Sequence, residues 1–365
     1  MNFTEAICMA HTKLLREIPE NYVIGLGVSY QNGADGSTKG LGDLYPKRVL
    51  DVPVSELAFT GMAVGMGSQG LRPIVHHGRI EFALLALDQI LTQASRWNYM
   101  FGGDYPCSVV FRICIGRQWG NGPQHTANYC SIFMQSPGIA VYIPYSPLSA
   151  YQQLVHATNQ NEPSVYLEHR WLYKTAQEFG PDLDNYKNEY PHGFMYEFSK
   201  CPLYIIISYG DGVLEALKAA RILKEQNIPI NVFAVCYFSG SYRDVDLQEI
   251  YVKNARIILF DTSPFEYGLM SGYLSVNTRK AMTKMGMEVY KISPEFKPCP
   301  TAIKLTSDYY PRYDSILTLI AKNEDIELEP ILDTTFDDMH LPPAYSFKEF
   351  EAIKRPVFLK KIQKI

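Results

Sequence analysis

Short apolar runs of strand character alternate with longer stretches of helical periodicity from about residue 20 to 260, and this alternation restricts the fold more than any other property of the chain. Tyr22-Val-Ile-Gly25, Arg72-Pro-Ile-Val75, Ser108-Val-Val-Phe-Arg112, Ile139-Ala-Val-Tyr-Ile143 and Ser164-Val-Tyr-Leu167 read as strands. Residues 55–67, 82–99 and 149–159 read as helices between them. Strands separated by helices need crossover connections, which make a mainly parallel sheet covered on both faces. A polar, tyrosine- and proline-containing stretch from Gln177 to His192 breaks the rhythm and reads as a linker. The pattern then restarts: Leu203-Tyr-Ile-Ile-Ile207 is a strand, and Val213, Ala216, Leu217, Ala220 and Leu223 recur at helical spacing. Strands at Ile230-Asn-Val-Phe-Ala-Val235 and Arg256-Ile-Ile-Leu-Phe260 follow. The expected fold is α/β with two doubly wound domains, residues 1–190 and 195–322. The remainder, 323–365, is acidic, then proline-containing, then basic, and reads as a solvated or partner-wrapped extension in which Lys354, Lys360, Lys361 and Lys364 could share a helical face.

Of the 365 residues, 47% are hydrophobic and 20% charged, a balance suited to packed cores and unsuited to a disordered chain. A formal net charge of −4 with scattered basic residues offers no electrostatic footprint for nucleic acid. The start lacks the basic-then-apolar pattern of a secretory leader, and no apolar run is long enough to span a bilayer. A cytoplasmic protein is expected, or an organelle-matrix protein whose leader has been removed, with no membrane partner. The seven cysteines are dispersed without a Cys-x-x-Cys pair, so reduced thiols are expected and neither disulfides nor structural zinc.

Four local features carry chemistry. Ser55-Glu56 opens the first long helix after residue 50. By itself this suits a helix cap, whereas a carboxylate held in a dry pocket beside a heterocyclic nitrogen can share a proton with it. Gly122-Pro-Gln-His125 lies in a glycine-rich loop after the strand at 108–112, at the edge where open α/β sheets bind ligands. His76-His77 with Glu81 has metal-ligating residue types, but adjacent strand residues point to opposite faces, so metal binding is not expected. Tyr209-Gly-Asp-Gly212 has the look of a magnesium-diphosphate motif. The Asn pair that such a motif needs is missing from the window around Cys236-Tyr-Phe-Ser239, and a turn feeding a helix is the simpler reading. P-loop, dinucleotide-binding and nucleophile-elbow motifs are absent.

Taken in order, Lys39-Gly-Leu, Arg48-Val-Leu-Asp-Val-Pro-Val-Ser-Glu56, Gly61-Met-Ala-Val-Gly65, Gly70-Leu-Arg-Pro-Ile74, Ala86-Leu-Asp-Gln-Ile90, Tyr99-Met-Phe-Gly-Gly103, Gly122-Pro-Gln-His125, Ser136-Pro-Gly138 and Tyr166-Leu-Glu-His169 resemble the β subunit of thiamine-diphosphate-dependent 2-oxo acid dehydrogenases. This is the pyruvate and branched-chain type of the transketolase-like superfamily. The resemblance is dense over residues 20–173 and weaker to about 322. It implies a pyrimidine-binding domain followed by a transketolase C-terminal domain. It also implies an α subunit that supplies the diphosphate and magnesium site, assembly as two α with two β chains, and inactivity of this chain alone. Carried over by position, Glu56 matches the glutamate that hydrogen-bonds the aminopyrimidine and promotes activation of the cofactor. Phe82 matches the aromatic packed on that ring, and Gln124 and His125 match the active-site Gln-His of the β chain. Some members also hold potassium through backbone carbonyls, which would lie here near Ile113, Ala157 and Gln160.

The chain departs from the pattern at three places. Leu26 stands where an acidic residue is common, Val235-Cys-Tyr-Phe238 replaces Asp-Leu-Arg, and Asp261-Thr-Ser263 replaces His-Glu. The last two weaken the expectation of a lipoyl acyltransferase partner. The leading expectation is a β subunit that decarboxylates a 2-oxo acid and transfers the acyl group. A specialised two-subunit carboligase or transketolase-like enzyme, and a non-catalytic homologue, stay open.

Overall fold

The computed structural model describes residues 1–117, 121–177, 191–238, 245–246, 250, 252, 254–264, 285–306, 308–327, 347–357 and 360–361. Its first helix, α1 (Phe3–Glu17), was not read from the sequence. Asn2 starts it through a capping box: its side-chain oxygen accepts from Glu5 N at 2.9 Å, and the Glu5 carboxylate accepts from Asn2 N at 2.8 Å. Phe3, Ala6, Ile7, Ala10 and Leu14 form its buried stripe, part of a core shared with Leu154 and Ala157.

Six parallel strands make the first sheet: β1 (Asn21–Gly25), β2 (Val49–Asp51), β3 (Arg72–His77), β4 (Val110–Ile115), β5 (Ala140–Tyr142) and β6 (Ser164–His169). Their spatial order is β5-β6-β4-β3-β1-β2. Every residue of β4 and β6 is buried, because helices cover both faces and leave no solvent side for polar alternation. Two short helices, α2 (Leu41–Leu44) and α6 (Cys130–Met134), lie in the connections, and the longer α3 (Glu56–Ser68) and α7 (Pro147–Asn159) agree with the sequence reading. At the start of α7, Ser146 caps and Pro147 occupies the first turn, where its missing N–H costs nothing.

The stretch read as one helix over 82–99 is irregular. It runs as α4 (Ile80–Ala83), a 3₁₀ turn (Leu84–Ala86), a π segment (Asp88–Ala94) and α5 (Ser95–Met100). Packing against residues 136–138 reshapes it. The Ser95 hydroxyl donates to the Leu91 carbonyl at 2.7 Å and meets Ser136 Oγ at 2.8 Å. The Ser95 carbonyl also lies only 2.0 Å from where a side chain on Gly138 would begin.

In the second half, β7 (Gly193–Glu197), β8 (Tyr204–Tyr209) and β9 (Ile230–Val235) precede a short β10 (Tyr237–Phe238). They are followed by β11 (Val245–Asp246), β12 (Arg256–Phe260), β13 (Val289–Ile292), β14 (Lys354–Val357) and β15 (Lys360–Lys361). The second sheet runs β13-β12-β8-β9-β7-β14, parallel through β13, β12, β8 and β9, with β7 and β14 each antiparallel to its inner neighbour. Lys354 therefore lies in a strand at the sheet edge, where the sequence suggested a helical face. Pro356 is tolerated there because an edge strand has one row of backbone groups without a ladder partner. The strand β10 crosses back and pairs antiparallel with β5, joining the two halves through a ladder. Among the described residues no helix is long and apolar enough to cross a membrane.

Candidate active site

In adjacent parallel strands all carboxyl ends share one edge, and the loops following β2, β3 and β4 bring the expected site residues to it. Glu56 comes from the first strand connection, Phe82 from the second, and Gln124 with His125 from the third.

Glu56 occupies the first turn of α3 and is only 6% exposed. Ser55 makes no side-chain cap to the helix, so this dipeptide is not a simple N-cap. The helix dipole favours a carboxylate at that position. Among the described residues, no hydrogen bond to its carboxylate from another residue is found.

Phe82 keeps 40% of its surface exposed, unlike a core aromatic, and stands edge-on to the His125 ring with centroids 5.6 Å apart at 63°. His125 Nδ1 is buried and has no partner among the described residues. Gln124 is exposed in the same turn, and among the described residues no contact draws it toward Glu56. The structure thus brings Phe82 and His125 together and sets Glu56 on the same edge. Residues 118–120, which belong to the histidine loop, lie outside the described residues.

A residue without a role in the sequence reading fixes that loop. The Glu81 carboxylate accepts from Ala127 N at 2.7 Å, and Gly116 N donates to the Ala127 carbonyl at 3.0 Å. Together they close the base of the loop that carries Gln124 and His125. Glu81 had been grouped with His76-His77, and the geometry separates them. His77 turns toward α3, where its Nε2 meets Thr60 Oγ1 at 3.2 Å and its ring tilts against Phe59. Desolvation pushes its imidazole down to about 3. Among the described residues no group of three or more His, Cys, Asp or Glu is arranged to hold a metal ion.

The carbonyls considered for potassium have other partners. Arg72 Nη1 donates to both Thr158 O and Gln160 O at 2.8 Å, and Gln160 N donates to Ala157 O at 3.3 Å. Ile113 sits within β4, between its neighbours β3 and β6.

Behind the edge lies a second polar layer that spacing did not reveal. Arg112 is fully buried and makes a bidentate pair with Glu168, Nε to Oε2 at 2.7 Å and Nη2 to Oε1 at 2.8 Å. Ser37 accepts from Arg112 Nη2 at 2.6 Å, and Tyr173 donates to Glu168 at 2.6 Å. These partners come from residues 37–173, a separation that leaves no local motif.

The Gly-Asp-Gly segment is a turn, as the missing Asn pair suggested. Gly210 adopts φ +53° and α8 (Gly212–Glu225) begins just after Asp211. The Asp211 carboxylate is committed within the protein: it pairs with Arg117 Nε at 3.2 Å and His169 Nε2 at 3.3 Å, and accepts from Thr262 Oγ1 at 2.7 Å. Beside it, a cavity of about 580 Å³ separates the histidine loop from the second half, with Pro123, Thr126, Tyr129, Phe296, Tyr309 and Tyr310 in its wall.

Residues 1–175 match the family described as "Transketolase, pyrimidine binding domain". The mitochondrial pyruvate dehydrogenase E1 component subunit beta-2 of Oryza sativa subsp. japonica is 30% identical over 321 residues, covering 87% of this chain and 84% of that protein. The pyruvate dehydrogenase E1 component subunit beta of Rickettsia bellii is 28% identical over 302 residues, 82% of this chain and 91% of that protein. In fold, the chain resembles the solved "Split gene transketolase, inactive beta4 tetramer" with a TM-score of 0.68 at 17% identity, covering 88% and 98% of the two chains. Similarity over 87% of the chain to a subunit of that name, with the pyrimidine-binding family match, places the chain in the β-subunit family of thiamine-diphosphate-dependent 2-oxo acid dehydrogenases, within the transketolase-like superfamily.

Proposed function

We propose that this chain is the pyrimidine-binding subunit of a two-subunit enzyme that decarboxylates a 2-oxo acid and transfers the acyl group. The observation that carries the reading is Glu56, a residue only 6% exposed at the sheet edge whose carboxylate accepts no hydrogen bond from another described residue. A carboxylate placed there with its acceptor oxygens free of protein donors is suited to a ligand that brings the donor. The aminopyrimidine of thiamine diphosphate has that chemistry. When bound, the cofactor supplies the carbon nucleophile and the electron sink for loss of CO₂.

The chain's own residues have distinct tasks in this reading. Glu56 would share a proton with a pyrimidine ring nitrogen. Phe82, with 40% of its surface exposed, would pack on that ring while it contacts the His125 imidazole. His125, with Nδ1 unpartnered among the described residues, would donate to a developing substrate oxyanion or pass a proton. Gln124, exposed in the same turn, lies near enough in sequence to line the cofactor's approach. An α subunit provides the diphosphate and magnesium site.

Val54, Leu57, Met62 and Leu85 are exposed around α3 and the segment after α4, an apolar surface suited to burial against that subunit or a second β chain in an assembly of two α and two β. A potassium site near Ile113, Ala157 and Gln160 belongs to the same proposal, and there it would compete with the Arg72 guanidinium for the Gln160 carbonyl. All seven cysteines are free, which suits a reducing cytoplasm or organelle matrix. A lipoyl acyltransferase is the acceptor partner expected from the family.

The test is reconstitution with an α-type chain carrying the diphosphate motif, assayed with a panel of 2-oxo acids and lipoamide. Activity of the pair and not of either chain alone is expected. Decarboxylation without acyl transfer to lipoamide would overturn the dehydrogenase reading in favour of a carboligase.

A further inference from the structure

Arg117 follows directly on Gly116, at the base of the loop that carries Gln124 and His125. Gly116 has φ +77°, and a side chain on it would begin 2.0 Å from His169 Nε2, so the backbone there is held against the imidazole. Arg117 leaves the first sheet and enters the second half of the chain. It is 2% exposed, its Nε lies 3.2 Å from Asp211 and its Nη2 3.6 Å from Glu215, and its guanidinium stacks between Trp171 at 4.6 Å and Tyr310 at 4.8 Å. The far end of the loop is tied to the same half, where Asn128 Nδ2 donates to Tyr209 OH at 3.1 Å and Tyr209 OH donates to Asp261 at 2.7 Å. Both ends of the histidine loop are therefore fixed by acids of the second half.

We propose that Asp211, acting through Arg117, is a positioning residue for the Gln124–His125 loop. The inference rests on the functional reading above for its catalytic consequence, and on the ion pairs alone for its structural one. A buried guanidinium stays charged, so it follows its carboxylates. Removing the Asp211 charge takes from Arg117 the nearer of its two carboxylates, 3.2 Å away against 3.6 Å for Glu215, and the backbone of the adjoining Gly116 shifts with it. Glu215 also accepts from Tyr313 N at 3.1 Å, so it is not free to replace Asp211. A displacement of the order of 1 Å at the histidine costs far more in rate than in fold.

The experiment has two arms. In the isolated chain, hydrogen exchange over residues 121–129 is compared between wild type and Asp211→Asn. Faster exchange there, with β4 and β8 unchanged, is expected, and an unchanged loop overturns the proposal whatever the enzyme does. In the reconstituted pair, Asp211→Asn is expected to lower kcat roughly ten- to a hundredfold with KM within about a factor of two. In a His125→Ala background the same substitution should cause no further loss, because its effect passes through that histidine. An additive loss would show a general structural role and overturn the proposal. Asp211→Glu, which keeps the charge and moves the guanidinium, guards against simple misfolding: it should retain the ion pair and the melting temperature yet still lose kcat, and wild-type kcat in it counts against positioning. If the wild-type pair has no 2-oxo acid activity, the functional reading fails and the exchange comparison still decides the positioning claim.

Discussion

The Phe82 ring stands edge-on to the His125 imidazole at 5.6 Å, although 43 positions separate them in the chain (125 − 82). The contact arises because β3 and β4 are parallel neighbours whose following loops leave from the same edge. Phe82 still shows 40% of its surface. Its replacement by Ala should weaken thiamine diphosphate binding roughly tenfold, the ~1.4 kcal/mol expected for one lost aromatic stacking contact. Cofactor titration of the reconstituted pair measures this, and an unchanged affinity would remove Phe82 from the cofactor site.

Glu56→Gln should separate catalysis from stability. Activity of the pair falls by about 10² to 10⁴, the usual contribution of a positioned proton-sharing group. The melting temperature of the chain stays within a few degrees, because no hydrogen bond from another described residue is lost. A stability loss matching the activity loss would instead assign Glu56 to the architecture.

The Arg112–Glu168 pair should behave in the opposite way. Both side chains are fully buried and bidentate, so Glu168→Leu strands the guanidinium and costs about 3–5 kcal/mol. Urea unfolding reads this directly. A cost below about 1 kcal/mol would place the pair in the weakly coupled class of exposed ion pairs.

Gly138→Ala tests the packing that distorts the helical stretch after β3. The residue has φ +85°, and an added Cβ would begin 2.0 Å from the Ser95 carbonyl oxygen. The substitution should destabilise by at least ~2 kcal/mol through backbone strain and overlap. Thermal unfolding checks it, and wild-type stability would mean that the two segments can separate freely.

Stability should decline on mild acidification. Burial pushes the imidazoles of His77 and His169 down, to about 3 and about 4, with Asp211 partly opposing the shift at His169. The unfolded chain protonates the same groups near pH 6.5. Above that pH both states are neutral at these sites and nothing is lost. Between pH 6.5 and about 4 the unfolded state binds more protons, so stability falls as pH drops, by at most ~1.4 kcal/mol per unit for each histidine. Urea midpoints across this window should therefore fall, and His77→Gln should flatten the slope. A midpoint that holds constant from about pH 7 to 5 contradicts the account.

Periodicity carries far where elements are regular. The strands at 22–25, 164–167, 230–235 and 256–260 and the helices α3, α7 and α8 follow from apolar runs and 3.6-residue spacing, because a two-faced parallel sheet imposes continuous apolarity on its strands. It fails at β14, since four residues with a proline in an edge position hold no pattern until β7 supplies the partner. It fails also for the 84–94 segment, which reads as an ordinary amphipathic helix and departs from one only because Ser95, Ser136 and Gly138 pack against it.

The sequence by itself determined the fold class and the family, and it singled out Glu56, Phe82 and His125, the three residues of the proposed pyrimidine-binding edge. Tertiary structure decided what those side chains meet. Glu56 is 6% exposed and accepts no hydrogen bond from another described residue, Phe82 meets His125, Glu81 holds Ala127 of the histidine loop, and Arg117 lies 3.2 Å from Asp211. It also made Asp211, which the sequence places in a turn, the counterion of Arg117, with the neutral His169 imidazole 3.3 Å away. The physical reason is that propensity and periodicity act over a few residues, whereas the desolvation of a charge is settled by whichever distant groups the folded chain brings against it.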